Sequence, residues 1–299
     1  MLDIKISIVL FHTEEREVRQ VLRLINKSTL RKRIFLIDNS ADDTLRVLST
    51  ISNVTYIFNN ANLGYGRGHN VAINNEDTPS RYHLVINSDI DFDPVSLQQA
   101  FDFMEQHDDV GMISPRILDA EGDLQYFCRK LPTPFDLLAR RFIPGFFKPL
   151  FKHELDSYLL LNKDYSKPMN IPNLPGCFMF MRSDVLKNIG GFDENFFLYV
   201  EDIDLTRRLH EVSVTLYYPA ITIKHYLAQG SYKFSKLVLY HIKSAIHYFN
   251  KWGWFADTSR DEINKVIGLS YKITKREEVA KVKELVFYDS VPRKLYSSR

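Results

Sequence analysis

The chain has 299 residues, of which 45% are apolar, 25% are charged and 13% are aromatic, and its formal net charge is +2. These proportions are typical of a globular protein with a buried core and exclude wholesale disorder, while so small a net charge gives no indication of a nucleic-acid partner. The length favours one large α/β domain that carries a helical appendage.

The cysteines and the N-terminus both indicate the cellular compartment in which the protein is expected. Cys128 and Cys177 form no Cys-x-x-Cys pair and no disulfide framework, so we expect a reducing, cytoplasmic location. Residues 1–11 lack a basic region ahead of their apolar run and a small-residue cleavage site, which is typical of a buried strand and not of a signal peptide. No apolar stretch reaches about 18 residues, so the sequence predicts no transmembrane helix.

The first part of the chain alternates between strand patterns and helix patterns. Such alternation predicts βαβ units and a mainly parallel sheet, whose ligands lie beyond the carboxyl ends of the strands. Asp38 and Asp89 fall at two of these ends. The strands are predicted at residues 4–11, 33–37, 54–58 and 83–86, and the helices at residues 14–26 and 45–51.

The alternation stops after residue 110. Residues 129–172 contain several prolines among aromatic and basic residues, and we interpret them as an insertion. Residues 232–299 are helical in pattern and basic, so the sequence predicts a main domain over residues 1–231 and a C-terminal helical extension after it. Between these parts a strand is predicted at residues 176–181, a helix at 183–188, and short strands at 214–218 and 221–224.

Asp89 and Asp91 directly follow a buried strand. Two acids at alternate positions can present their oxygens to one hard cation such as Mg²⁺ or Mn²⁺, and such a cation can bridge a diphosphate. The alternative is that both aspartates only cap a turn. His225 follows a short strand further along, and it is either a satisfied structural histidine or a ligand beside these carboxylates.

A second acidic cluster enters the helix pattern near residue 205. Asp204 and Arg208 are spaced as an i,i+4 pair, which indicates a structural role for Asp204. Glu201 and Asp202 lie at the helix entry, where one carboxylate could act as general base to an incoming hydroxyl or could complement the helix dipole.

The glycine loop, residues 62–70, contains three glycines at alternate positions. Glycine permits positive φ and a close approach of the backbone to a ligand, and the helix that the loop opens can direct free amides at a phosphate or a base. A dinucleotide-binding site of the G-x-G-x-x-G type would follow the first strand, whereas this loop follows the third. We therefore reject a dinucleotide site.

These motifs occur together with several others in a fixed order, and the set resembles the family 2 glycosyltransferases, which have the GT-A fold. Within that family it is most similar to the rhamnosyltransferase-like and galactofuranosyltransferase-like enzymes of bacterial surface polysaccharide assembly. The resemblance covers residues 4–231. The motifs are IDNS (37–40), NLGYGRGHN (62–70), INSDIDF (86–92), PGCFMFMR (175–182), GGFDE (190–194), FFLYVEDIDL (196–205) and His225.

The resemblance implies a role for each matching residue. Asp89 and Asp91 would bind Mn²⁺ or Mg²⁺ with His225 as the third protein ligand, Asp202 would be the catalytic base, and Glu201 would position the acceptor. The donor nucleotide sugar would contact Asp89 and also Asp38, Asn62, Gly64, Arg67, Asn70 and Gly176. The floor that orients donor sugar and acceptor would include residues 191–194.

The implied reaction is a metal-dependent, inverting transfer of a sugar from a nucleotide-diphosphate donor to a hydroxyl of a glycan or lipid-linked glycan. A sugar-phosphate nucleotidyltransferase is an alternative, but it would carry a glycine-rich basic phosphate loop after the first strand, where this chain has residues 12–16 (HTEER). A non-catalytic carbohydrate-binding protein of the same fold is another alternative, and it would tolerate loss of acids that are all present here.

Aromatic and basic residues interleave over residues 140–152, with a basic tract at residues 272–283 and two tryptophans, Trp252 and Trp254. This composition favours an anionic membrane surface, so we expect a peripheral enzyme at the inner face of the cell membrane, where a lipid-linked acceptor would lie. The alternative is that these aromatics pack under the sheet or form a contact between two copies of the chain.

Overall fold

The computed structural model describes residues 1–139, 152–226, 234–267 and 271. In this part of the chain nine strands form one mixed sheet. The strands are β1 (Leu2–Leu10), β2 (Lys32–Asp38), β3 (Val54–Phe58), β4 (Ser80–Ile86), β5 (Ile90–Phe92), β6 (Val110–Leu118), β7 (Met169–Asn170), β8 (Phe178–Arg182) and β9 (Val214–His225).

The sheet order is β3-β2-β1-β4-β8-β6-β9-β5, with β7 paired to β9. The first four strands in this order are parallel, and β8 runs antiparallel to both β4 and β6. The carboxyl ends of β1, β2 and β4 therefore lie at one edge of the sheet, which we call the carboxyl edge. Because β8 is antiparallel to β4, its first residue also lies there, where Phe178 pairs with Ile86.

Helices cover both faces of the sheet. They are α1 (Glu15–Lys27), α2 (Tyr65–Ile73), α3 (Val95–Gln106), α4 (Lys152–Tyr158), α5 (Ser183–Asn188), α6 (Glu201–His210), α7 (Phe234–Trp252) and α8 (Thr258–Val266), with a 3₁₀ helix at Thr44–Thr50 and a π-helical turn at Phe135–Ala139. No helix in the described ranges is both long enough and apolar enough to cross a membrane.

The apolar spacing of each helix decides which face of the sheet it covers. In α1, Val18, Val21, Leu22 and Ile25 recur at helical spacing, and all four are buried in one core cluster with α3. Apolar residues of α5 and α6 form a second cluster with the opposite face of the sheet. A third cluster joins α7 to residues 196–203.

The predicted α/β fold with a mainly parallel first half and C-terminal helices is confirmed, with differences in detail. The alternation continues past residue 110, because α3 leads into β6, which lies between β8 and β9 in the sheet. The two short strands predicted after residue 213 are one strand, β9, with an irregular register opposite Pro115. The expected helix at residues 45–51 is a 3₁₀ helix.

Candidate active site

Asp38 ends β2 at the carboxyl edge, as the sequence predicts. Its side chain is buried, and its two carboxylate oxygens accept the Ser40 N–H at 2.9 Å and the Tyr56 hydroxyl at 2.6 Å. These bonds fix the orientation of the carboxylate beside the glycine loop. A contact between Asp38 and a nucleotide stays a prediction.

The glycine loop closes on the residues that precede α6. Gly64 has φ 83° and ψ −176°, a combination that is essentially restricted to glycine. A Cβ atom at this position would lie 2.1 Å from the carbonyl oxygen of Phe197. The Asn62 side-chain oxygen accepts the Gly64 N–H at 3.0 Å, and Asn39 donates to the Gly64 carbonyl at 3.0 Å. The loop is therefore held in one conformation at the carboxyl edge.

The two polar residues of α2 in the predicted nucleotide pocket lie in different surroundings. Asn70 is buried, where its amide nitrogen donates to the Phe192 carbonyl at 2.8 Å and its oxygen accepts the Phe192 N–H at 2.9 Å. Arg67 is half exposed, and its Nε lies 3.3 Å from the Glu194 carboxylate. Asn70 thus joins α2 to the GGFDE turn, whereas Arg67 presents its charge at the surface.

The structure brings together two of the three predicted metal ligands. Asp89 Oδ1 lies 3.3 Å from His225 Nε2, and His225 Nδ1 is a buried nitrogen without a hydrogen-bond partner in the described part of the chain. Asp91 lies on β5, and its carboxylate accepts the Tyr226 hydroxyl at 3.2 Å. Within the described ranges no three His, Cys, Asp or Glu side chains are grouped closely enough to hold a metal ion.

The chemistry of the Asp89 and His225 side chains nevertheless suits a divalent ion. A carboxylate and an imidazole are both ligands that Mn²⁺ accepts. A role for Asp91 as third ligand stays a prediction.

Glu201 and Asp202 begin α6 directly opposite the start of β8. Asp202 Oδ2 accepts the Gly176 N–H at 3.1 Å, and Oδ1 accepts the Ile203 N–H at 2.9 Å. Burial raises the pKa of Asp202, while the Ile203 and Gly176 amides and the Arg129 charge act in the opposite direction. A carboxylate whose pKa is raised toward neutrality is a better proton acceptor for a hydroxyl.

Glu201 is more deeply buried, and its Oε2 has no hydrogen-bond partner in the described part of the chain. Burial, and then the charge of Asp202, raise the pKa of Glu201 to about 8. At neutral pH Glu201 is therefore protonated and can donate a hydrogen bond, and it lies beside the less buried carboxyl group of Asp202.

The sequence pattern does not reveal two further site residues. The Tyr65 hydroxyl lies within hydrogen-bond distance of the Gly176 carbonyl, at 2.8 Å, and of Asn87 Oδ1, at 2.9 Å, so it joins the glycine loop to both strands that end at the site. Arg129 lies close enough for its charge to lower the pKa of Asp202, and its Nε is buried without a partner in the described ranges. The glycines on either side of Tyr65 are a signal that could have found it, but a single arginine in an irregular segment carries no recognisable pattern.

A mixed sheet with glycine-shaped and acidic loops at its carboxyl edge, faced by a carboxylate pair on a later helix, is the architecture of the GT-A fold. Residues 7–190 match the family model of glycosyl transferase family 2. The chain belongs to that family, and it is a glycosyltransferase.

Sequence relatives indicate a branch of the family. The chain is 25% identical over 214 residues to the N-acetylglucosaminyl-diphospho-decaprenol L-rhamnosyltransferase of Mycobacterium tuberculosis (strain CDC 1551 / Oshkosh). The aligned residues cover 66% of this chain and 67% of that protein. It is 26% identical over 268 residues to the rhamnosyltransferase WbbL of Escherichia coli (strain K12). This alignment covers 87% of this chain and 97% of WbbL. The chain is thus related to rhamnosyltransferases.

Solved structures share the GT-A fold. TarS of S. aureus superposes with a TM-score of 0.57 at 14% identity, over 87% of this chain and 42% of TarS. The mannosyltransferase PcManGT of Pyrobaculum calidifontis, solved with GDP-Man and Mn²⁺, superposes with a TM-score of 0.53 at 14% identity, over 96% of this chain and 81% of that one. At this identity the similarity concerns the fold alone, and the chain spans less than half of TarS.

Proposed function

We propose that the chain is a metal-dependent, inverting transferase that moves a rhamnose-like sugar, galactofuranose or another hexose from a nucleotide-diphosphate donor to a hydroxyl of a lipid-linked glycan. The acceptor would be an intermediate of bacterial O-antigen, capsule or cell-wall polysaccharide. The observation that carries the proposal is the Glu201–Asp202 pair, whose Asp202 carboxylate accepts the Gly176 N–H at the carboxyl edge. The names of the two rhamnosyltransferase relatives support rhamnose as the transferred sugar, and one of the names supports a lipid-diphosphate acceptor.

In this proposal Asp202 takes the proton of the acceptor hydroxyl. The acceptor oxygen attacks the anomeric carbon from the face opposite the diphosphate, and the bond to the diphosphate breaks as the glycosidic bond forms. One base suffices because a nucleoside diphosphate is a good leaving group, whereas glycoside hydrolases need a second carboxylic acid. Glu201, protonated at neutral pH, donates a hydrogen bond that orients the acceptor.

The donor would lie along the carboxyl edge. Asp38 and the glycine loop would contact the nucleoside, and Arg129 would place its guanidinium near the diphosphate. Asp89 and His225, with Asp91, would hold a Mn²⁺ or Mg²⁺ ion. When bound, such an ion would neutralise the charge that develops on the departing diphosphate.

Attachment to an anionic membrane is part of the proposal, because a lipid-linked acceptor lies in a membrane. Most of residues 140–152 and all of residues 272–283, on which this expectation rests, lie outside the described residues. Trp252 forms a hydrogen bond within the protein, since its indole N–H donates to the Asp204 carboxylate at 2.8 Å. The Phe255 side chain, by contrast, is 90% exposed. Flotation with anionic liposomes at low and high salt tests the attachment, because salt screens attraction to charged lipid.

The reaction is tested by screening UDP-, GDP- and dTDP-sugars for release of nucleoside diphosphate, with a lipid-linked glycan acceptor and with Mn²⁺, Mg²⁺ or a chelator. We expect release that depends on acceptor and metal. Asp91→Asn should lower it by orders of magnitude, and undiminished activity in chelator would overturn the metal assignment. No release with any donor would overturn the transferase assignment.

The base assignment is tested by Asp202→Asn, which should spare donor binding and lower kcat on the order of 10²–10⁴-fold. Asp204→Asn is the matched control on the same helix. Its carboxylate is fully buried and bonded to Arg208 and Trp252, so that change should cost mainly stability. A harmless Asp202→Asn with a strongly impaired Asp204→Asn would mean that the base is misassigned.

A further inference from the structure

Helix α7 packs along the whole of the segment that leads into the catalytic pair. We call residues 196–200 the presenting segment. Its rings lie against rings of α7, with centroid distances of 4.6 Å for Phe197–Tyr240 and 5.8 Å for Tyr199–His241. Between these contacts the buried Ser244 hydroxyl donates to the Leu198 carbonyl at 2.9 Å. The helix thus holds the segment by packing and by a hydrogen bond.

The presenting segment ends in a conformation that needs support. Tyr199 and Val200 have φ values of 68° and 70°, and a left-handed conformation is unfavourable for a β-branched residue such as Val200. Val200 is buried in one cluster with Ala245 and Phe249 of α7. The helix therefore stabilises the strained turn that directs Glu201 and Asp202 into the site.

The same segment also touches the donor side of the site. The Phe197 carbonyl oxygen accepts the Tyr65 N–H at 3.1 Å, and it lies only 2.1 Å from the position that a Cβ atom of Gly64 would take. A single short segment therefore connects the glycine loop to the catalytic carboxylates, with Leu198 between these two attachments.

We infer that α7 is a positioning element of the transferase and that Ser244 is its positioning residue, because its bond to Leu198 fixes the turn from which Asp202 reaches the acceptor. This inference rests on the proposed function for its catalytic consequence. Ser244 contacts no substrate, and it acts only through the presenting segment.

The test compares Ser244→Ala with Ser213→Ala. Ser213 is a matched control, since its hydroxyl also donates to a main-chain carbonyl, that of Leu209, at 2.8 Å, but at the far end of α6. With the nucleotide sugar identified in the donor screen, Ser244→Ala should lower kcat by about 10- to 100-fold, as expected for a displaced catalytic group. The KM for the donor should change less than about twofold, because the Phe197–Tyr65 bond remains, and Ser213→Ala should leave both constants unchanged.

Hydrogen exchange supplies a readout that needs no substrate. In Ser244→Ala the amides of residues 199–203 should exchange faster than in the parent chain, and in Ser213→Ala they should not. Equal exchange and equal kcat in the two variants would overturn the inference and leave the proposed function intact. Absence of transfer by the parent chain, with faster exchange in Ser244→Ala alone, would overturn the proposed function and retain the structural role of α7.

Discussion

Glu201 holds a carboxyl group in surroundings that disfavour its charge. In an unfolded chain such a group titrates near 4.5, whereas burial and then the charge of Asp202 raise the pKa of Glu201 to about 8 in the fold. Between these values the unfolded chain has released the proton that the folded chain retains, so each increase in pH favours unfolding. The stabilising effect of this proton is complete below about pH 4.5 and is lost as the pH rises through about 8.

Glu201→Gln removes this titration while it keeps the shape and a hydrogen-bond donor. We expect the difference in Tm between Glu201→Gln and the parent chain to increase from pH 5 to pH 8 in favour of the variant, which thermal denaturation at matched ionic strength measures. Glu154→Gln, a change at an exposed position of α4, is the control and should show no such trend. A constant difference across this range would contradict a raised pKa.

Arg129 supplies positive charge to a site lined by carboxylates. Arg129→Gln should lower the transfer rate at neutral pH on the order of 10²-fold, because the positive charge that we propose near the departing diphosphate is lost. The pKa of Asp202 should rise as well, so the acid limb of the pH–rate profile should move to higher pH.

Arg116→Gln is the matched control for this change. The Arg116 Nε is also buried without a partner in the described ranges, but its charge acts to lower the pKa of Tyr217. If Arg129→Gln and Arg116→Gln have the same pH profile, Arg129 has no part in the site.

The sequence predicts the strand ends at which Asp38 and Asp89 lie, but it does not predict the contacts that other site residues make. Asp38 and Asp89 lie where the pattern predicts, because parallel strands bring their carboxyl ends to one edge. The burial of Asn70 could not be predicted, because it depends on Phe192, 122 positions away in the chain. The separation of Asp91 from His225 depends on the pairing of β5 with β9, which the sequence pattern does not specify.

At the scale of elements, the glycine loop fits the presenting segment too closely to admit a side chain. Gly64→Ala places a Cβ atom 2.1 Å from the Phe197 carbonyl oxygen, at a φ of 83°. We expect this variant to lose binding of nucleoside diphosphate, measured by calorimetry, and to be less stable, because either the loop or the presenting segment must move.

Gly122→Ala is the control that separates the effect of a steric clash from the effect of backbone strain at a positive φ. Gly122 has φ 95°, but no atom of the described chain lies within 4 Å of the position that a Cβ atom would take. The change should therefore cost only about 1–2 kcal/mol of left-handed strain. Nucleotide binding should be unaffected. If the two glycine variants behaved alike, the contact with Phe197 would have no importance for the donor.

In two strands the local sequence pattern does not predict the observed structure, because pairing with neighbouring strands determines it. Strand β6 contains Gly111 and Pro115, which interrupt its apolar run, and it is stabilised by lying between β8 and β9. Pro219 gives β9 the sequence pattern of two strands, and the structure accommodates it in the register shift between Tyr218 and Thr222. In both cases neighbouring strands override the local signal.

At the scale of the whole molecule, a buried ion pair joins the C-terminal helices to the sheet domain. Arg207 of α6 donates to both carboxylate oxygens of Asp257, at 2.7 and 2.8 Å, and its guanidinium lies 3.9 Å from the centre of the Trp252 ring. The side chains of Arg207 and Asp257 are 1% and 4% exposed. The predicted division at residue 231 therefore separates parts that share buried contacts.

Asp257→Ala should destabilise the chain by about 3–5 kcal/mol, because it leaves the Arg207 charge buried without its partner. Arg207→Met with Asp257→Leu should cost much less than this single change, since a well-packed apolar pair needs no compensation for lost hydration. Urea denaturation measures the cost of Asp257→Ala, and the parent, Arg207→Met, Asp257→Leu and their double variant together give the coupling. Asp261→Ala at an exposed position of α8 is the control. A single transition in the parent would mean that α7 and α8 unfold with the sheet domain, as the shared pair requires. Two separate transitions, with Asp257→Ala affecting only the weaker one, would show that the helical extension folds independently and that the pair does not couple it to the active site.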